Sequence, residues 1–359
     1  MRSIAKSVAA PIAGALLVVA GSGAPARAAS RPTLAEFMAR MGWTPLEIAS
    51  AVRGDVVSRT LETTMVGPND TAEVGVLGVV RVDVSRQAFI DAADDVIAFR
   101  GGSHIKAGVI QNPPQAGDFS GMSLPPADVK QLRDCRPGHC ALRLTGGNLT
   151  ELQSKIDWNA ADVQEQVNRL GRARLLAVLK DYMSEGTTAF KPLEDSVVAV
   201  SIDQQFRELL QDTGLLIAVY PELAAYLKDF PRAKLPSSRE AFFWALEDFG
   251  LKPTLTLTHA VGYIPEGTQD VVVAWKQLYA SHYFNGGLST TTYAREGEAS
   301  YVVQLDRVRA DGLGGAFGGI KRSKMASGME GALRRFLQET KAKLKGASGR
   351  KGEAPAAAP

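Results

Sequence analysis

The chain has 359 residues, 45% of them hydrophobic and 22% charged, with 41 Lys and Arg against 38 Asp and Glu. That balance supports a packed core and excludes intrinsic disorder, collagen-like repeats and, with 2 cysteines, a disulfide-dense mini-protein. A formal charge of only +3 also argues against nucleic acid as a partner.

Arg2 and Lys6 precede an apolar run from Val8 to Gly21, and Ala26-Arg27-Ala28 has the form of a cleavage site. This is the layout of a secretory signal peptide over residues 1–28, so the mature chain is expected in a periplasm or outside the cell. No later stretch reaches the roughly 20 apolar residues that a bilayer span needs.

Residues 33–53 read as two short helices, the second with Thr44 as cap and Pro45 at its first position. Strands are expected over 55–64 and 72–85, joined at Pro68-Asn69-Asp70. Ser85 then caps a helix over 86–99, where Phe89, Ala92, Ala93, Val96 and Ile97 recur at helical spacing. A strand over 104–111 follows.

Residues 112–140 are rich in proline and glycine and read as a loop or junction. Cys135 and Cys140 flank Pro137-Gly138, turn chemistry that can bring their sulfurs together. In an oxidising compartment a structural disulfide is expected there. Zinc is not expected, because only His139 is near and two more ligands are needed.

The stretch 148–230 is mainly helical, with a long helix from Asn159 to Tyr182. From 240 the pattern changes to strands over 242–249, 254–264, 271–285, 288–295 and 300–309. The turns between them, including Gly286-Gly287, are short enough to force antiparallel pairing. Gly312–Gly319 has neither G-x-G-x-x-G nor G-K-[ST] spacing, so no phosphate loop is read there. A helix over 320–344 and a disordered tail over 346–359 complete the chain. Between Lys321 and Lys351 ten basic residues stand against two acidic ones. An anionic membrane surface is therefore an expected partner of this segment, with a merely solvated helix face as the alternative.

The richest polar and aromatic set lies in the C-terminal strands. Alternation puts Leu255, Leu257, His259, Val261 and Tyr263 on one face, so the imidazole points inward. The next strand offers Trp275, Tyr279 and Tyr283 on one face, and Arg307 continues the inward face of Tyr301, Val303 and Leu305. Such a set suits an amphipathic ligand, with Trp275, Tyr279 and Tyr283 as apolar wall and His259, Tyr263 and Arg307 anchoring a polar head. A core histidine bonded to a backbone carbonyl is the structural alternative for His259. No catalytic residue, metal or cofactor is assigned.

The order of elements, a strand, a helix, several antiparallel strands and a long final helix over 55–111 and 240–345, resembles the START-like helix-grip superfamily. The resemblance implies a curved sheet wrapped around the last helix and enclosing a cavity. It also implies binding of lipids, sterols or polyketide-like molecules, with cyclase or hydrolase chemistry in some members. Cys135-x-Pro-Gly-x-Cys140, Lys276-Gln-Leu-Tyr-Ala-Ser-His-Tyr-Phe284 and Asp306-Arg-x-Arg-x-Asp-Gly-Leu-x-Gly315 resemble signatures of uncharacterised exported bacterial proteins.

The expected fold is α+β, a curved antiparallel sheet gripping a long C-terminal helix. It is built from 29–111 and 240–345, with a large helical insertion at 112–239 serving as lid or second wall. The expected function is an exported binding protein for a hydrophobic or amphipathic small molecule, lipid included. Two alternatives stay open. One is a hydrolase or cyclase using His259 as general base in the same cavity. The other is an envelope scaffold without ligand.

Overall fold

The computed structural model describes residues 32–101 and 104–350. The expected signal peptide and residues 351–359 of the expected tail lie outside the described residues. Thr33 and Thr44 open α1 (Leu34–Arg40) and α2 (Pro45–Arg53) with matching capping boxes. Each hydroxyl accepts the N–H of Glu36 or Glu47, whose carboxylate accepts the threonine's own N–H.

The strand expected over 55–64 is two, β1 (Val57–Thr60) and β2 (Thr64–Gly67), lying end to end against β3 (Thr71–Arg81). The helix expected over 86–99 is also two, α3 (Arg86–Ala93) and α4 (Val96–Arg100). Asp95 leaves the helical path, and its side chain accepts the N–H of Ala98 to start a new helix. β4 (His104–Ile110) follows.

The insertion supplies α5 (Pro126–Leu132), α6 (Gly146–Lys155), α7 (Val163–Glu185), α8 (Ile202–Asp212), α9 (Gly214–Val219) and α10 (Pro221–Asp229). Five strands then run up and down: β5 (Ser238–Glu247), β6 (Thr254–Tyr263), β7 (Val271–Ala280), β8 (Phe284–Glu296) and β9 (Ala299–Ala310). Gly286-Gly287, expected as a turn, lies inside β8. The chain turns instead at 281–283, where Tyr283 takes φ +60°. α11 (Gly318–Arg350) closes the described chain and absorbs residues 346–350, which were expected in the tail.

One nine-stranded sheet runs in the order β1-β3-β9-β8-β7-β6-β5-β4, with β2 also on β3 and every pair antiparallel. This curved sheet grips α11 on its inner face, the expected α+β architecture. There Val76, Val80, Val273 and Val302 meet Leu333 and Leu337 of α11, with Phe89 and Phe99 from α3 and α4. Gly78 permits the close approach, since a Cβ on it would lie 2.8 Å from Leu337 and closer still to Leu333. The described residues from Thr33 onward form one compact unit.

The insertion does not cover the α11 side as a lid. It packs on the outer face, where Leu179, Tyr182, Phe206 and Leu227 meet Phe242, Leu257, Val261 and Val272. Further along that face Leu34, Phe37 and Met38 of α1 cover Leu77, Val79 and Leu305. The cause is visible in β6 and β7, which are buried on both faces and need a cover on each. Among the described residues no helix is long and apolar enough to cross a membrane.

Cys135 and Cys140 are joined, their Cα atoms 4.5 Å apart. Gly138, at φ +77°, makes the turn and donates to the Glu194 carbonyl, while Cys140 donates to the Asp195 carbonyl. Because the closed loop is short, chain entropy gives the bond only about 2 kcal/mol. Cys135→Ser with Cys140→Ser is thus expected to lower stability by about 2 kcal/mol and leave the fold intact. Urea unfolding with and without reductant measures this, and an unchanged midpoint would show that the bond constrains nothing.

Candidate functional site

The residues expected to form one site are divided between the two faces of the sheet. His259 is on the outer face of β6 and is 0% exposed, so it presents no surface to a ligand. Its Nδ1 and the Tyr182 hydroxyl hydrogen-bond at 2.9 Å, and Phe242 stacks on the ring at 4.5 Å. Nε2 has no hydrogen-bond partner and stops 3.7 Å from the Glu240 carboxylate. Burial pushes the imidazole below its usual range, against the pull of Glu240. Tyr263 follows on the same face at the end of β6 and is buried.

Lys276, the cross-strand neighbour of His259, is the unexpected member of this cluster. Its ammonium donates to the Leu227 carbonyl at 2.7 Å and lies 3.8 Å from the Phe206 ring centroid and 5.2 Å from that of Tyr182. Burial pushes it down to about 7. A lysine between Trp275 and Gln277 carried no sequence signal that its charge would be enclosed.

Trp275 points to the opposite, inner face, packing with Phe99 and beneath the Arg100 guanidinium, 5.7 Å from its ring. Tyr279 does not share that face. A register irregularity at Leu257/Thr258 leaves Leu278 without a partner in β6, and the bulge turns Tyr279 to the outer side. There its hydroxyl donates to the Arg143 carbonyl at 2.9 Å. Tyr283 sits in the turn and accepts the N–H of Lys252 at 3.2 Å. Arg307 does follow the face of Tyr301 and Leu305, but that face is the outer one, where Arg307 pairs with Glu73 and donates to the Asp212 carbonyl at 2.6 Å.

Two other places have the form of sites. On the inner face, register aligns Trp275, Ser289 and Asp306 in one rung and Val273, Thr291 and Gln304 in the next. A hydrogen-bond chain crosses them. The Trp275 indole donates to Thr291 at 3.4 Å, Thr291 to Gln304 at 2.6 Å, and Gln304 to Asp306 at 2.7 Å. Burial pushes the Asp306 carboxyl above its usual range, with Ser289 and Arg100 opposing. Half-buried Met329 and Phe336 of α11 pack against the apolar side chains of this face. The polar row's sequence signal was the alternating pairs Ser289-x-Thr291 and Gln304-x-Asp306 within apolar strands, quieter than the aromatic and histidine signal beside it.

The second place is a pocket of about 120 Å³ on the outer side, between α6, α7 and the sheet. Leu152, Leu170, Leu175, Val178, Leu255 and Leu278 wall it, with Arg174 and Lys191 exposed among the lining. Among the described residues no group of three or more His, Cys, Asp or Glu could hold a metal ion.

No family model matches the chain, and no curated protein matches it. Among solved structures, that of TTHA0849 from Thermus thermophilus is similar over 42% of this chain and 92% of its own, at 16% identity and a TM-score of 0.24. A likeness at that score carries no argument about function.

Proposed function

We propose that the chain is an exported binding protein for a small amphipathic molecule seated between the inner face of the sheet and α11. The observation that carries this reading is the polar row from Trp275 through Thr291 and Gln304 to Asp306, set beside the apolar side chains that meet α11 on the inner face. A core built only for stability gains little from such a row, because every polar group in it needs a partner. Phe99, Trp275 and Phe336 supply apolar wall around it. The strand order and the clasped α11 also support placing the chain with the START-like proteins. Its disulfide supports an oxidising compartment. Exposed Arg334, Arg335, Lys343 and Lys345 on α11 support contact with an anionic membrane during ligand exchange.

Native mass spectrometry of the protein purified without denaturant is expected to show one organic molecule per chain, released by solvent extraction. Gln304→Leu with Asp306→Leu is expected to abolish that added mass while the chain stays folded. Repeated recovery of bare wild-type protein, or an added mass that survives the double substitution, would refute the reading.

A further inference from the structure

We infer that the outer-face pocket is a second binding site, separate from the inner face, for a small monocarboxylate with a short alkyl or single-ring tail. Size sets the tail. At about 120 Å³ the pocket is close to a cavity that admits benzene, so it takes about six carbons and excludes a sterol or a diacyl lipid. Charge sets the head. Arg174 and Lys191 are the exposed cations on the lining, Arg174 paired with Glu151, while Arg143 is already closed by Asp311 and Asn285. Glu151 is the lining's acid, held below the usual carboxylate range by Arg174 and Lys155. The balance of Arg174 and Lys191 against Glu151 leaves positive charge for an incoming carboxylate.

Gly171 supplies the independent observation. It lies within α7, where glycine is the least favourable residue after proline, and it lines the pocket. No positive φ requires it there. A Cβ on it would meet only Met122, at an ordinary 3.6 Å. Packing therefore does not demand glycine at this place, and its effect is to keep the pocket open. The sheet separates this pocket from the inner face, so each site can be blocked alone.

Isothermal titration calorimetry with hexanoate, hexanol and hexylamine tests the inference. Hexanoate is expected to bind the wild-type protein at least about tenfold more tightly than hexylamine, with hexanol between them. Gly171→Leu fills the space and is expected to weaken hexanoate at least about tenfold, whereas Gly171→Ala keeps binding. Lys191→Gln is expected to reduce the affinity for hexanoate and leave that for hexanol unchanged. Leu170→Trp is a second plug should Gly171→Leu fail to fold. No binding of millimolar hexanoate, equal binding of hexylamine, or unchanged hexanoate affinity in a folded plug variant would overturn the site. Loss of the inner-face guest by Gln304→Leu with Asp306→Leu does not touch it.

Discussion

Glu73→Gln is expected to lower folding stability by about 3 to 5 kcal/mol, the cost of stranding buried guanidiniums without their counter-charge. Glu73 lies on β3 with 1% of its surface exposed, and both its oxygens are used. One accepts from Arg307, the other from Arg309 Nε at 3.0 Å. Arg309 is itself 1% exposed, and its remaining nitrogens reach Glu208 and Asp212 of α8. Those two carboxylates are partly in water and compensate weakly for a buried cation. Arg307→Gln should cost less, because Arg307 keeps more contact with solvent. Glu73→Leu with Arg309→Met should recover much of the loss, since apolar side chains of similar volume replace buried ion pairs well. Urea unfolding of these variants reads the differences directly. A Glu73→Gln protein within about 1 kcal/mol of wild type would show that the cluster is hydrated.

Lys276→Met is expected to be more stable than wild type by about 2 to 4 kcal/mol at pH 6, and to lose that advantage as pH rises toward 10. Lys276 is pushed from its ordinary 10.5 down to about 7 by burial, so the folded chain releases a proton that the unfolded chain still holds. Between those values the unfolded state binds more protons, and wild-type stability therefore climbs with pH at up to about 1.4 kcal/mol per unit. Below pH 7 both states are protonated and the full penalty of the enclosed ammonium stands. The bond to the Leu227 carbonyl and the faces of Phe206 and Tyr182 return part of it, which is why the gain stays below the whole penalty. Urea midpoints of both proteins from pH 6 to 10 should converge. Parallel curves would mean that water reaches the ammonium.

The sequence carried the element types well where a period persisted, as in α11 and in the alternation of β6. It carried the faces poorly, for a physical reason. Period two says which residues share a side, but β3, β6 and β7 are covered on both sides, so no wet face marks the other as core. His259 is interior as its alternation implies, yet its interior is the insertion side. Tyr279 departs from its expected face through a bulge that no local residue announces. The insertion's docking place depends on helix faces that state only that they are buried. Asp306, Gln304 and Ser289 escape a sequence reading because polar residues in a strand ordinarily face solvent, and here the inner floor holds them.

The pairing of β3 with β9 governs how the molecule comes into being. Glu73 and Arg307, partners across that seam, are 234 positions apart. The earliest long strand has to wait for nearly the whole polypeptide before it meets its permanent neighbour, a late and costly loop closure. Until then one flank of β3 is an open template that another copy can join. Assembly of the native sheet is thus a race between completing the chain and association of unfinished ones, and shielding of the early segment decides the yield.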